Sequence, residues 1–378
     1  MVSVNLASTS APNVISGIAT PTLSQNITTL SDKVIAGYWL VKATMEVALP
    51  RGANIDKLLR GTGIFEDAIT SHLMISVKQY TALLVNVQHY TKGKDVSFLI
   101  GNALASYWAS SPLSVLAKSE CLEDLTQQLL SQHQLRWCAH PLLSFRAYDF
   151  ASYTLWIPEL TIRNAKINQF ALEIGFSTVM ALCKMVTGRR PAMTFSFQCQ
   201  RPRNVADYEI HLGLKTRFSS PINGMTIAKN DLLRPIESGS DHLAVSGKSK
   251  PAQHHFVDQS ITTQWPQREI VSRISLPDYV RQCALSPHHN GLTLVAEHLN
   301  LSVATLKRKL NEFGVSYRQL SEEVKRNQAI VLLSLNKMTN EQTAGAMAMS
   351  DLPNFRRVIK RLTGNTPSEL RALIFSDL

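Results

Sequence analysis

An α+β N-terminal domain followed by an all-α C-terminal domain of two helix-turn-helix units is the fold class that the sequence predicts. Three observations predict it. Between residues 33 and 236, short apolar runs of period two are mixed with helical patterns, without the regular strand–helix alternation of a parallel sheet. A polar stretch of Ser, Gly, Lys, His, Gln and Pro then interrupts the apolar patterning. From Leu292 to Arg371 the chain twice repeats a short helix, a tight break and a second, basic helix. The expected division is a flexible tail over 1–31, an α+β domain over 32–236, a linker over 237–272 and the helical domain over 273–378.

Residues 1–31 contain no Asp, Glu, Lys or Arg and are rich in Ser, Thr, Asn and Ala, hence the tail. No basic n-region precedes an apolar stretch there, so a secretory signal is not expected. Residues 33–110 read as mostly helical, with a turn at Gly61 and Gly63. Leu143, Phe145 and Ala147 alternate with other residues, and a second run, Tyr153 to Ile157, follows after four to five connecting residues; this reads as a hairpin. Residues 161–187 form a long helical pattern stopped by Gly188. Thr194–Gln198, Thr216–Phe218 and Met225–Ile227 are strand candidates around a helix over 203–213, with Asn223-Gly224 as a turn signal.

The chain of 378 residues is long enough for two domains at roughly 100–200 residues each. Its formal charge of +11 favours polyanionic partners. Residues 290–378 hold 12 Lys and Arg against 8 Asp and Glu, so charge alone does not locate a nucleic-acid surface. The five cysteines, Cys121, Cys138, Cys183, Cys199 and Cys283, are odd in number and form no C-x-x-C pair, which argues against a disulfide framework or zinc ribbon and for a reducing compartment. No run of 18 apolar residues suggests a membrane span. Gly247-Lys248-Ser249 lacks the earlier glycine of a phosphate loop, and His254-His255 and His288-His289 are adjacent pairs that cannot share a helix face. No metal site and no cofactor are expected. No hydrolase signature occurs, and the chain is not expected to be an enzyme.

In the first unit, Val295, Ala296 and Leu299 share a face, Asn300-Leu301 make the break, and Ser302 is a favoured N-cap. Val303, Leu306 and Leu310 then form the inner stripe. Ala304, Arg308 and Asn311 face away from it, flanked by Thr305 and Lys307. Arg308 can donate two hydrogen bonds to guanine O6 and N7. Lys307 and Lys309 can neutralise phosphate, Thr305 can meet a phosphate or a thymine methyl, and Ala304 permits close approach to a major groove. Tyr317, Leu320, Val324, Val331 and Leu335 mark a longer connecting helix, with Glu322 and Arg326 as an i, i+4 pair. In the second unit Ala344 and Met347 face inward, Ser350 or Asp351 caps the next helix, and Pro353 lies in its first turn. Phe355 and Ile359 are its buried pair, with Arg356, Arg357, Lys360 and Arg361 around them and Gly364 as the stop.

This region resembles the AraC/XylS regulators. The matching residues are Val295, Ala296, Leu299, Leu301, Ser302, Thr305, Leu306, Arg308 and Leu310; Ala329, Leu332 and Leu333; then Ser350, Asp351, Phe355, Arg357, Lys360, Arg361, Thr363, Gly364, Pro367, Ser368 and Glu369. Three departures stand out. Asn300 occupies the turn position where the family usually has Gly; Thr343 replaces an aliphatic residue; Ala348-Met349 replaces a Gly-aromatic pair. A Cβ at Ala348 in a left-handed turn costs roughly 1–2 kcal/mol. The first unit is therefore expected to read bases and the second mainly to hold phosphates, through Arg356, Arg357 and Lys360. The stretch from Pro191 through Phe195, Phe197, Tyr208, Gly213, Phe218, Asn223 and Ile227 to Pro235 resembles the effector domain of the ornithine-regulator branch. The resemblance implies a cytoplasmic regulator that binds double-stranded DNA, forms a homodimer, senses a small-molecule effector through the N-terminal domain and contacts RNA polymerase. The alternative is a constitutive DNA binder whose N-terminal domain only dimerises.

Overall fold

The computed structural model describes residues 27–107, 116, 118–131, 140–236, 273–286, 291–349 and 351–372. The interruptive stretch 237–272, the His288-His289 pair and Ser350 lie outside these residues. Helices dominate the first part of the N-terminal half: α1 (Tyr38–Ala48), α2 (Ile55–Leu59), α3 (Val77–Tyr90), α4 (Val96–Ser106) and α5 (Leu122–Ser131). Helix α3 starts in a reciprocal cap, where Ser76 accepts from the Gln79 backbone and the Gln79 side chain accepts from Ser76. Three two-residue strands accompany them, β1 (Ile27–Thr28), β2 (Ile35–Ala36) and β3 (Met74–Ile75), with β2 and β3 antiparallel.

The predicted hairpin forms from β4 (Leu143–Asp149) and β5 (Tyr153–Leu160), in register from Leu143 opposite Leu160 to Asp149 opposite Thr154. Its connection is shorter than expected, Phe150 to Ser152, because the Phe150 amide closes onto the Tyr153 carbonyl at 2.9 Å. With β6 (Met193–Ser196), β7 (Thr216–Arg217) and β8 (Gly224–Ala228) it makes a five-stranded sheet in the order β4-β5-β8-β6-β7, parallel only between β6 and β7. Helix α6 (Asn168–Thr187) buries Phe176, Val179, Met180 and Cys183 in a cluster with sheet residues Phe195, Met225 and Ile227, and ends at Gly188 with φ 69°. By length and composition α6 could cross a membrane, but 78% of its apolar window is buried inside the domain. Its other side meets α4 so closely that a Cβ on Gly101 would sit 1.9 Å from Ser177 Oγ. Short helices α7 (Val205–His211) and α8 (Lys229–Leu232) complete this α+β half.

The C-terminal half begins with β9 (Ile274–Ser275) and α9 (Leu276–Leu285), followed by α10 (Leu292–His298), α11 (Val303–Glu312), α12 (Tyr317–Ile330), a π turn over Val331–Leu335, α13 (Asn340–Ala346), α14 (Leu352–Thr363) and α15 (Pro367–Ala372). The two helix-turn-helix units are α10–α11 and α13–α14, joined by α12.

Two expectations are corrected. The end of the presumed tail is structured: Ile27 and Thr28 pair in parallel with Ile274 and Ser275, and Thr28 and Leu30 are buried. An apolar-polar alternation of a few residues is too short to read as a strand when its partner lies 246 residues away. Glu322 does not pair with Arg326. It accepts instead from Arg318 at 3.1 Å and from Arg361 of α14 at 2.6 Å, while Arg326 donates to the Pro221 carbonyl.

The halves are packed together chiefly through α9 and α12, the helices that flank and join the two units. One apolar cluster runs from Leu40, Leu83 and Ile174 through Val280 and Val295 to Leu306, Leu310 and Leu320. Another joins Tyr148, Leu155, Ile157 and Ile222 of the sheet half to Ile330, Phe355 and Ile359. Between them lies Arg281, fully buried, whose guanidinium donates to the Leu160 carbonyl at 2.7 Å, Asp278 at 3.1 Å and Glu323 at 3.4 Å. Asp278 in turn accepts from Ser144 at 3.0 Å, and Glu323 pairs with Arg163 at 2.9 Å. A buried guanidinium is tolerated only when paired and hydrogen-bonded in this way. Gly314, at φ 70°, lets the chain after α11 touch the Arg163 carbonyl, which a Cβ there would approach to 2.4 Å.

Candidate nucleic-acid interface

Each unit is built on a left-handed turn. In the first, Leu299 ends α10, Asn300 takes φ 52°, and the Leu301 amide returns to the Ala296 carbonyl at 2.9 Å. Ser302 then caps α11 by accepting from the Thr305 amide at 3.1 Å. The inner stripe is buried as predicted at Leu306 and Leu310, with Val303 half-buried. In the second, Met347 ends α13, Ala348 takes φ 55°, and the Met349 amide returns to the Ala344 carbonyl at 2.8 Å. The backbone path matches that of the first unit, although Ala carries the strained conformation that Gly adopts freely.

Thr343 shows how this unit accommodates its departures. It is fully buried, and its hydroxyl donates to the Thr339 carbonyl at 2.7 Å, so the polar atom is satisfied inside its own helix. Met349 is partly buried against the same cluster as Phe355, giving apolar contact in place of an aromatic ring. Helix α14 has no side-chain cap from Asp351, but Pro353 lies in its first turn and Gly364 ends it at φ 78°.

The exposed faces are as follows. Ala304, Lys307, Arg308 and Asn311 of α11 are exposed, and Thr305 is half-buried with its hydroxyl 2.9 Å from Ser302 Oγ. Arg308 donates to Glu312 at 3.0 Å along its own helix, and both side chains stay largely exposed. Such a pair holds little energy in water, so the guanidinium is available to a stronger acceptor. Arg356, Arg357 and Lys360 project from α14, all exposed. Arg361 is set apart from them: it pairs with Glu322 and ties α14 to α12, and with Arg318 it holds the Glu322 carboxyl below its ordinary range. All eight predicted contact residues therefore lie on two helices whose opposite sides are buried. What the linear pattern did not disclose is that the helices flanking these units, α9 and α12, bind the N-terminal half through Arg281, Arg326 and Glu323. Arg281 and Glu323 give only a charged-residue signal, indistinguishable from a solvated helix face.

Among the described residues no group of three or more His, Cys, Asp or Glu is placed to hold a metal ion.

Two exposed, basic second helices on a paired helix-turn-helix scaffold, joined to an α+β domain, define a two-domain protein of the DNA-binding regulator class. Residues 52–236 match the family described as arabinose-binding domain of AraC transcription regulator, N-term, and residues 295–372 match a helix-turn-helix domain family. Together these cover most of the chain in the order of that architecture, and the chain belongs to the AraC-type regulators. It is 30% identical over 209 residues to the ornithine utilization regulator of Pseudomonas aeruginosa, spanning 53% of this chain and 57% of that protein. It is 25% identical over 88 residues to the HTH-type transcriptional regulator VqsM of the same organism, spanning 23% of this chain and 27% of the other. The chain thus aligns with little more than half of the first relative's length and less of the second's. The crystal structure of transcriptional regulator CdpR from Pseudomonas aeruginosa is similar over 90% of this chain and all of that one, at 15% identity and a TM-score of 0.39.

Proposed function

We propose that this protein is a sequence-specific, double-stranded-DNA-binding transcription regulator acting in the cytoplasm as a homodimer. The observation that supports it best is the pair of exposed basic helices, α11 and α14, each set after a left-handed turn and each buried on its opposite side. Arg308 reads a base edge, with Ala304 and Asn311 beside it and Lys307 and Thr305 on the backbone. Arg356, Arg357 and Lys360 hold phosphates. The N-terminal domain senses a small effector, and RNA polymerase is the functional partner at the promoter. Because α9 and α12, which flank and join the units, bind the N-terminal half, an effector that changes that half has a route to their placement. It can act only through different affinities for the two arrangements.

A salt series tests the reading. Binding of the full chain to DNA from its own promoter region should weaken with a log–log slope of about 0.9 per phosphate neutralised. It should also exceed binding to random DNA by roughly a thousandfold or more. A flat salt response, or equal affinity for both DNAs, refutes it.

A further inference from the structure

Among the described residues, Glu173 is a buried carboxylate with no cationic partner. It lies in the middle of α6, 8% exposed. One of its oxygens accepts from the Tyr208 hydroxyl and from Gln169 Nε2 at 3.1 Å; the other accepts from Ser97 Oγ at 2.6 Å. All three donors are neutral. Buried carboxylates are ordinarily paired with a cation, because the neutral donors satisfy hydrogen bonds but leave the charge uncompensated. The other buried acids among the described residues, Glu159 and Asp278, have Arg146 and Arg281. Near Glu173 the field is made more negative, since Asp207 acts on it with the same sign.

The surroundings suit an organic cation. The Tyr208 ring, which carries the hydroxyl bonded to Glu173, meets Phe98 at 4.9 Å, Phe197 at 5.2 Å and Phe218 at 5.0 Å between centroids, each edge to face. Phe98 stacks on His211, which is 3.1 Å from the Asn102 amide. Aromatic faces attract alkylammonium and guanidinium groups and shelter their methylenes. Around the buried carboxylate, Asn102, Gln169, Asp207, His211 and Phe218 are only half-buried, so this side of the α4–α6–α7 junction opens to solvent. His211 is itself pushed below its ordinary value, by burial first, and so does not supply the missing positive charge at neutral pH.

We propose that the α4–α6–α7 junction is the effector site, and that it takes a small organic cation, an alkylamine or guanidine, whose charged group pairs with Glu173. This rests on the reading of the N-terminal domain as a sensor and adds the ligand class. The cation replaces a neutral donor at the carboxylate, and the half-buried polar rim holds the rest of the ligand. Since α6 packs on the sheet, and the sheet carries the contacts to α9 and α12, the site adjoins the route to the DNA-binding units.

Thermal unfolding and calorimetric titration of the full chain test this, with putrescine and L-lysine set against their uncharged counterparts of similar size, 1,4-butanediol and L-norleucine. The cations should bind and raise the midpoint, and the neutral compounds should not. Burial holds the Glu173 carboxyl above its ordinary range, so cation binding should weaken as pH falls through that raised value, where the carboxyl takes up a proton. Glu173→Gln keeps a hydrogen-bond acceptor and should lose cation affinity at least tenfold while unfolding no earlier than wild type. Asp207→Asn should lower it a few-fold. If the glutamine variant does not fold, the wild-type preference for cations over neutral compounds decides alone. Equal stabilisation by both members of each pair, or no binding of either cation at about 10 mM, overturns the proposal. Promoter binding by the cation-free protein is measured in parallel: its retention alongside absent cation binding defeats only this inference, whereas its loss defeats the regulator reading.

Discussion

The two helix-turn-helix units share one backbone path and differ in how they sustain it. The first reaches its turn with Asn300, a residue whose side chain suits a left-handed position, and starts α11 on a Ser302 cap. The second makes the same turn with Ala348 and starts α14 without a side-chain cap. It is compensated by context: a reciprocal Thr339–Gln342 cap on α13, a fully buried Phe355 and Ile359, and the Arg361–Glu322 tie to α12. A turn that is locally unfavourable survives where tertiary packing outweighs it. The units also belong to different apolar clusters, the first to one shared with N-terminal helices and the second to one shared with residues of the β4–β5 hairpin.

The largest test of this contrast is truncation of each core. Phe355→Ala should cost about 3–5 kcal/mol and Leu306→Ala about 2–5 kcal/mol, read from urea unfolding of the full chain. A Phe355→Ala cost below about 1 kcal/mol would show that the second unit does not depend on packing in the way described. Next is the division of labour on DNA. Arg308→Ala should cost about 1–3 kcal/mol in binding to the preferred site and relax selection at one base pair in a binding-site selection. Arg357→Ala should weaken all sequences alike and lower the salt slope by about 0.9. An equal change in base selection for both variants would erase the distinction.

The turns themselves give a smaller effect. Ala348→Gly should stabilise by about 1 kcal/mol, since glycine has no Cβ to clash at positive φ. Asn300→Gly should gain less, because Asn already tolerates that region; a larger gain at Asn300 would invert the comparison. Smallest is the pH response of the tie between α12 and α14. The Glu322 carboxyl is held below its ordinary range by Arg361 and then Arg318, so the tie is fully present above the ordinary carboxylate range and is lost as pH falls through the lowered value. Amide exchange in α14 should rise on acidification, and Glu322→Gln should remove that rise.

The residues that form the two basic helices were legible because helical period and caps are local. Val303, Leu306 and Leu310 fall on one side by spacing alone, and Ser302 announces the start of α11. The site residues followed as whatever those stripes leave exposed. The fate of Glu322 and Arg326 was not legible, because an i, i+4 pair on a helix competes with partners that only folding brings near. Arg361 and the Pro221 carbonyl are such partners. The same holds for Ile27 and Thr28, whose ladder partners lie at the other end of the chain.

The α+β and helical halves, the paired units and the side chains they present could be read from the residues alone, because each depends on contacts within a few turns of chain. Long-range folding alone sets the burial of α9 and α12 against the N-terminal half around Arg281, and leaves Glu173 inside with no cation paired to it among the described residues. Both are outcomes of desolvation, and whether a charge is desolvated depends on surfaces contributed from distant parts of the chain.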